Sequence, residues 1–560
     1  MVGLLQTYQR RVQKWFLMSA IVGAVTGAFL AFYNYVVETE MFERLFLSGN
    51  IWLYLFAPVA GLLASWAIVR WLVPAGTPET TEAYIETYHS ASQTLRLRDL
   101  PGRMLATVAT IGSGGSMGLE GPAVYFGATT GAWLQRQRDD LFDPDETKIL
   151  EVAGAAAGIA AIFKAPLTGV MFALEAPYRD DLVRRALLPA LTAAATGYLV
   201  YTLFEGPARL LQPDRVLATT YVELLLAIVL GLVCALVARL FVYVLDWSKQ
   251  LFSLMPGWTA AAVAGIVTGA LGVATYYLVD APLTLGPGLF GTQLMLGKQI
   301  ALGILPMLLV MKMCSTAFTA KGGGAGGMFF PLVFLGAAVG SMMSWIVQSD
   351  TSIYPVVGIA AMVGAGYRSP LAAVAFVAEA TGSPGFVIPG LIAAATAQLA
   401  MGTKSISHAQ LSHRWSGVES TLGKTVSTLL ENRPTPPAVD CDCDLDTFAR
   451  EHLLAHRSRA LPVVDADGDC IGIIPVGHLT RLDRDEWKSH TVRDEMDPNP
   501  AYVTPGDTVG QAAEELVQGN SDYAVVIDDG EPVGVLTAED VVRLEEVLGA
   551  VSRRRPMTDR

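Results

Sequence analysis

Apolar residues run along this chain in blocks rather than in strict alternation. Leu17–Val37, Ile51–Val69, Ala186–Phe204 and Trp258–Val279 contain no Asp, Glu, Lys or Arg over 21, 19, 19 and 22 residues. About 20 such residues cross a bilayer core as a helix, so the pattern predicts a polytopic membrane protein. Other apolar blocks, such as Met104–Gly118 and Ala123–Leu134, are shorter and interrupted by Gly or Pro. After about residue 430 the pattern changes. Short β-branched runs there alternate with Asp/Gly turns and helical periodicity, which predicts a small α/β module.

The membrane body contains a repeat. Residues 158–176 read GIAAIFKAPLTGVMFALEA and residues 362–380 read MVGAGYRSPLAAVAFVAEA. Each places a basic residue, a small residue, Pro and Leu before an apolar run ending Glu-Ala: Lys164, Pro166 and Glu175, then Arg368, Pro370 and Glu379. A G-x-x-x-P segment precedes each copy, Gly118–Pro122 and Gly327–Pro331, and the proline spacings are 44 and 39 residues. Duplicated halves with Gly- and Pro-interrupted apolar segments predict a transporter built from inverted repeats and broken helices. A helix that begins inside the membrane exposes backbone N–H groups with partial positive charge, which suit an anion. Simple kinking of packed helices would explain the glycines but not their paired placement.

Glu120 is the sharpest single residue. It stands in Gly118-Leu119-Glu120-Gly121-Pro122 with no basic residue within ten positions on either side. A carboxylate inside a membrane is costly and functional by default; beside a helix N-terminus it can occupy an anion position and leave it. Glu175 and Glu379, placed symmetrically, read as helix-end fixation involving Lys164 or Arg368.

These motifs resemble the chloride channel and chloride/proton antiporter (CLC) family over roughly residues 12–415. Gly118–Pro122 is similar to its G-K/R-E-G-P motif, with Leu119 in place of the basic residue, and Gly327–Pro331 is similar to G-x-F-x-P. The resemblance implies a homodimer in the lipid bilayer, one chloride pathway per subunit and Glu120 as gate. It also implies about seventeen or eighteen helical segments, and anion contacts from Gly118, Gly121, Met328 and Phe329. Two family positions differ. Ala75 replaces a pore serine, and Ser407, with His408 as the one-residue register alternative, falls where a pore tyrosine is usual, which implies a wider inner constriction. Ala176 stands where proton-coupled members carry an internal carboxylate. The expectation is therefore a passive chloride channel, with a chloride/proton antiporter using another internal proton path as the alternative. His89, Glu79, Glu82 and Glu86 read as a wet surface.

Composition supports a membrane body and adds a contrast. Hydrophobic types reach 52% and charged types only 16%, against about 25% charged in soluble domains. Residues 431–560 hold 27 acidic and 13 basic residues, the rest 25 and 26. This acidic tail gives nucleic acid no basic footprint. Ala460–Leu482 and Tyr523–Leu544 repeat a strand–turn–strand–helix order and resemble tandem CBS domains. That resemblance offers one adenine-nucleotide site at Thr537 and Asp540; Pro475 and His478 spoil the first repeat, and structural dimerisation is favoured. Five Cys, with Cys441 and Cys443 one residue apart, predict neither a disulfide framework nor a metal site. No enzyme motif is present and no cofactor is required. The expected division is 1–11 N-terminal segment, 12–415 transport domain, 416–429 linker, 430–486 and 487–548 CBS repeats, and 549–560 tail. Arg10, Arg11 and Lys14 before the first span and Arg414 after the last apolar part predict both termini in the cytoplasm, with the protein in the cell membrane.

Overall fold

The computed structural model describes residues 2–73, 77–90, 95–138, 148–213, 220–411, 425–430, 435–453, 459–479, 482–484, 486–518, 521–528 and 530–537. Two compact units divide the chain, Met1–Arg414 and Trp415–Arg560.

The first unit is helical and consists of two halves of matching order. The first holds α1 (Val2–Asn34), which continues into a π-helical stretch over Tyr35–Glu43, then α2 (Arg44–Phe46), α3 (Ile51–Leu72), α4 (Thr81–His89), α5 (Leu100–Gly112), α6 (Glu120–Gln137), α7 (Ile149–Ile162), α8 (Pro166–Glu175) and α9 (Leu187–Glu205). The second holds α10 (Tyr221–Ser253), α11 (Gly257–Val279), α12 (Leu289–Leu296), α13 (Leu305–Lys321), α14 (Phe329–Ile346), α15 (Ile353–Tyr367), α16 (Pro370–Thr381) and α17 (Val387–Met401). Packing repeats as well: α1 lies on α9 as α10 lies on α17, and α6 lies on α7 as α14 lies on α15. The equivalent G-x-x-x-P segments meet through an antiparallel bridge between Gly118 and Gly327, as expected of inverted repeats.

The same local chemistry breaks the helices in both halves. Lys164 and Arg368 end α7 and α15 in the left-handed region, at φ of 51° and 54°. Ala165 and Ser369 then precede proline and take extended φ of −142° and −123°, because a following Pro disfavours the helical region. Pro166 and Pro370 occupy the first helical position, where a missing N–H costs nothing. Every residue of α7 and of α15 is buried. Among the described residues seven helices are long and apolar enough to span a membrane, whereas α7, α8, α15 and α16 are shorter. The chain is a multi-pass membrane protein whose core is made of part-crossing helices.

The second unit contains two three-stranded sheets of the same pattern. β1 (Val439–Asp440) pairs parallel with β2 (Ala460–Val464), which pairs antiparallel with β3 (Cys470–Pro475). β4 (Ala501–Val503), β5 (Tyr523–Asp528) and β6 (Glu531–Thr537) repeat the order. Ala460, Ile473 and Val525 pack the two sheets together. The hairpins match the sequence reading; the leading strands, two and three residues long, carry too little pattern to be read. The helix Val509–Gln518 begins with a capping box: Gln511 N donates to Thr508 Oγ1 at 3.2 Å, and Thr508 N donates to Gln511 Oε1 at 2.8 Å. Arg493 donates to Cys441 Sγ at 2.7 Å, so that thiol is engaged by a guanidinium.

Candidate functional site

Glu120 opens α6, and Met328 is the residue before α14. Gly118 N donates to Gly327 O at 3.0 Å and Gly327 N to Gly118 O at 2.8 Å, which sets the two helix starts beside each other. The Phe329 N–H donates to Glu120 Oε1 at 2.5 Å. Glu120 is only 1% exposed, and its Oε2 has no hydrogen-bond partner among the described residues. The carboxylate thus lies where the partial positive charge of a helix start would hold an anion. Only glycine leaves room for it. A Cβ on Gly118 would lie 2.0 Å from Glu120 Oε2, and one on Gly327 2.3 Å from Glu120 Cδ. Gly121 is as tightly enclosed, since a Cβ there would meet Thr80 Oγ1 at 2.4 Å.

Phe329 is fully buried and ringed by aromatics, with Phe163 at 4.5 Å and Phe376 at 5.0 Å between ring centroids. Beside it lies a cavity of about 150 Å3 lined by Thr80, Gly327, Met328, Tyr367, Ser407 and His408, among others. The Met328 N–H donates to the Tyr367 hydroxyl at 3.3 Å. Sequence reasoning missed Tyr367. Its signal was present, because an aromatic precedes the basic residue in both repeats, Phe163-Lys164 and Tyr367-Arg368. Tyr367, at the end of α15, thus brings a hydroxyl to the cavity that Ser407 also lines. Ser407 is buried and its Oγ, like Thr80 Oγ1, has no partner among the described residues. Buried polar atoms of this kind call for a ligand or water. The His408 ring turns instead to Asp246, 3.4 Å away, so Ser407 holds the more enclosed register. Ala75 lies outside the described residues.

The two repeated glutamates cap each other's half. Glu175 accepts from Leu371 N at 3.1 Å and Ala372 N at 2.8 Å, at the start of α16. Glu379 accepts from Leu167 N at 2.9 Å and Thr168 N at 2.8 Å, at the start of α8. The anticipated partners Lys164 and Arg368 are occupied elsewhere: Lys164 bonds Glu205 O at 3.1 Å and Arg368 bonds Asp180 at 2.6 Å. Glu175→Gln keeps one acceptor oxygen and loses the charge, so it should cost about 1–3 kcal/mol. A lowered thermal midpoint with unchanged transport stoichiometry is the expected measurement.

The polar stretch near α4 is also more ordered than a wet surface. Glu79, Glu82 and Glu86 line the cavity beside Met328. Glu79 pairs with Lys321 at 2.8 Å, and Glu82 accepts from His408 N and Ala409 N, each at 2.8 Å. His89 Nε2 lies 2.6 Å from Pro177 O. Ala176 is fully buried, and its carbonyl accepts from Gln410 Nε2 at 2.9 Å. In the second unit Thr537 ends β6 and the His478 ring lies 2.8 Å from Glu495 O; Asp540 lies outside the described residues.

Broken helices in inverted repeats, meeting start to start at a buried carboxylate, define a membrane transport protein of the part-crossing-helix class. Residues 60–402 match the voltage gated chloride channel family, and residues 427–485 and 492–546 match the CBS domain. The chain belongs to the voltage gated chloride channel family, with a tandem CBS module after the membrane unit. It is 26% identical over 402 residues to an H(+)/Cl(-) exchange transporter of Klebsiella pneumoniae, covering 67% of this chain and 83% of that protein. Another exchange transporter, from Yersinia pestis, is 24% identical over 75% of this chain and 92% of its own length. A slow cyanobacterial Cl-/H+ antiporter shares the fold at a TM-score of 0.62 and 20% identity, covering 70% of this chain and 96% of the antiporter. A eukaryotic CLC transporter does so at 0.60 and 20%, covering 95% and 98%. These relatives overturn the passive channel expected from Ala176. The physical reason is that a missing acid at one position does not exclude a carboxylate brought near by another helix.

Proposed function

We propose that this chain exchanges chloride for protons across a membrane, with Glu120 serving both ions. The carrying observation is the Glu120 carboxylate on the Phe329 N–H at the start of α14. Carboxylate and chloride carry the same charge and compete for the same helix start. Protonation removes that charge, frees the position for the anion and loads a proton in one event. Gly118, Gly121, Met328 and Phe329 form the backbone part of the anion site; the hydroxyls of Thr80, Ser407 and Tyr367 are the donors on its cavity side. The names of the relatives support the same reading.

Exchange then runs through one pathway in each subunit of a homodimer, with both termini in the cytoplasm on the charge of Arg10, Arg11, Lys14 and Arg414. The CBS module serves dimerisation first and adenine-nucleotide binding at Thr537 and Asp540 second. Simultaneous chloride and proton flux from liposomes holding the purified protein tests the central claim. The expected result is uphill proton movement driven by a chloride gradient, at a ratio that stays constant as the gradient changes. Chloride flux without proton movement would sink it.

A further inference from the structure

Exchange requires a proton to enter the protein at the end remote from Glu120, and Ala176 supplies no group for it. We propose that Glu151 is that proton acceptor; the inference rests on the exchange reading above.

The position follows from the pairing of α6 with α7. The two helices run antiparallel in close contact: an added Cβ on Gly158 would lie 2.1 Å from Ala123 O, one on Gly154 1.9 Å from Gly127 O, and one on Gly131 1.8 Å from Leu150 O. Glu151 therefore sits beside Gly131, eleven residues along α6 from Glu120, or about 16 Å at the helical rise.

Its surroundings differ from those of Glu175. Glu151 is 1% exposed, yet its one hydrogen bond among the described residues comes from Thr87 Oγ1 at 3.4 Å. No ion pair to it occurs among the described residues. The nearby cations are turned to backbone. Lys148 Nζ donates to the carbonyls of Thr87, Tyr88 and Ser90, and Arg136 donates to Leu95 O at 2.9 Å. Glu175 is held by two backbone N–H groups and cannot release its charge without undoing a helix cap. Glu151 can bind and lose a proton while its neighbours stay bonded. A buried carboxylate in a membrane unit with no helix cap to hold and no ion pair among the described residues is a functional residue by default.

Helix α4 links this carboxylate to the end of α8. Tyr84, fully buried one turn before Thr87, donates its hydroxyl to Ala173 O at 3.1 Å. His89 follows with its contact to Pro177 O, and Tyr88 and His89 both meet Tyr178 edge-on. The polar and charged groups around Glu151 among the described residues are thus Tyr84 and Thr87 of α4, Tyr125 and Arg136 of α6 and Lys148 at the head of α7. The step is a proton transfer alone: an O–H bond forms on the Glu151 carboxylate from a water-borne proton and breaks when the proton moves on toward Glu120.

The test is paired chloride and proton flux in liposomes on the full chain and on Glu151→Gln, Glu151→Leu and Glu151→Asp. Wild-type protein that moves no protons ends the exchange reading itself. With wild-type exchange present, Glu151→Gln should keep chloride flux within about twofold and lose at least tenfold in proton flux, while Glu151→Asp keeps proton flux. Glu151→Leu gives the same readout if the Gln variant fails to assemble. Proton flux at the wild-type ratio in an assembled Gln or Leu variant overturns the assignment and leaves the exchange reading standing. A parallel fall of both fluxes overturns it too, because that marks a structural role.

Discussion

Glu120→Gln makes anion flux nearly independent of pH and abolishes proton movement. In the native chain the ionised carboxylate holds the Phe329 N–H, so anion flux rises as pH falls and protonation frees the position. The amide side chain has almost the same shape but no charge at any pH. It neither competes as an ion nor carries a proton. Chloride and proton fluxes measured from pH 4 to 8 should show a flat chloride profile and a proton flux at background. Retention of the wild-type pH profile would remove Glu120 from both roles, and loss of that profile in Glu175→Gln instead would exchange the two residues.

Gly327→Ala reaches the same residue without altering its charge. The new Cβ would lie 2.3 Å from Glu120 Cδ and 2.3 Å from its Oε1, so the flexible carboxylate must leave its place against Phe329 N. The expected outcome is a loss of proton coupling of the same order as in Glu120→Gln. Adding Gly327→Ala to Glu120→Gln should then change little, because both act on one interaction and their effects do not add. Fully additive losses in the double variant would place the glycine's role in the Gly118–Gly327 bridge rather than in seating the carboxylate.

The architecture was legible wherever a local pattern repeats. Uncharged blocks marked the long helices, and the Lys-Ala-Pro and Arg-Ser-Pro steps marked helix breaks, because proline and the residue before it restrict the backbone wherever they occur. Glu120 stood out because a lone carboxylate in an apolar run carries its own cost. Tyr367, Thr80 and Glu151 did not stand out, since each acquires its setting from a distant segment. Tyr367 meets Met328 across 39 residues, and Thr87 meets Glu151 across 64. The inference from Ala176 failed for the same reason. A missing acid at one position says nothing about which carboxylate another helix brings near.

The exchanged caps of Glu175 and Glu379 have a mechanical consequence. Many inverted-repeat transporters alternate access by rocking one half against the other. Here such rocking would strip the backbone N–H groups of Leu167, Thr168, Leu371 and Ala372 from their acceptors. Only the Ala372 N–H is fully buried, where baring it would cost about 1–3 kcal/mol, but all four bonds tie one half to the other and oppose such rocking. On the exchange reading, these caps favour turnover by side-chain swings such as that of Glu120 over a rocking of the two halves.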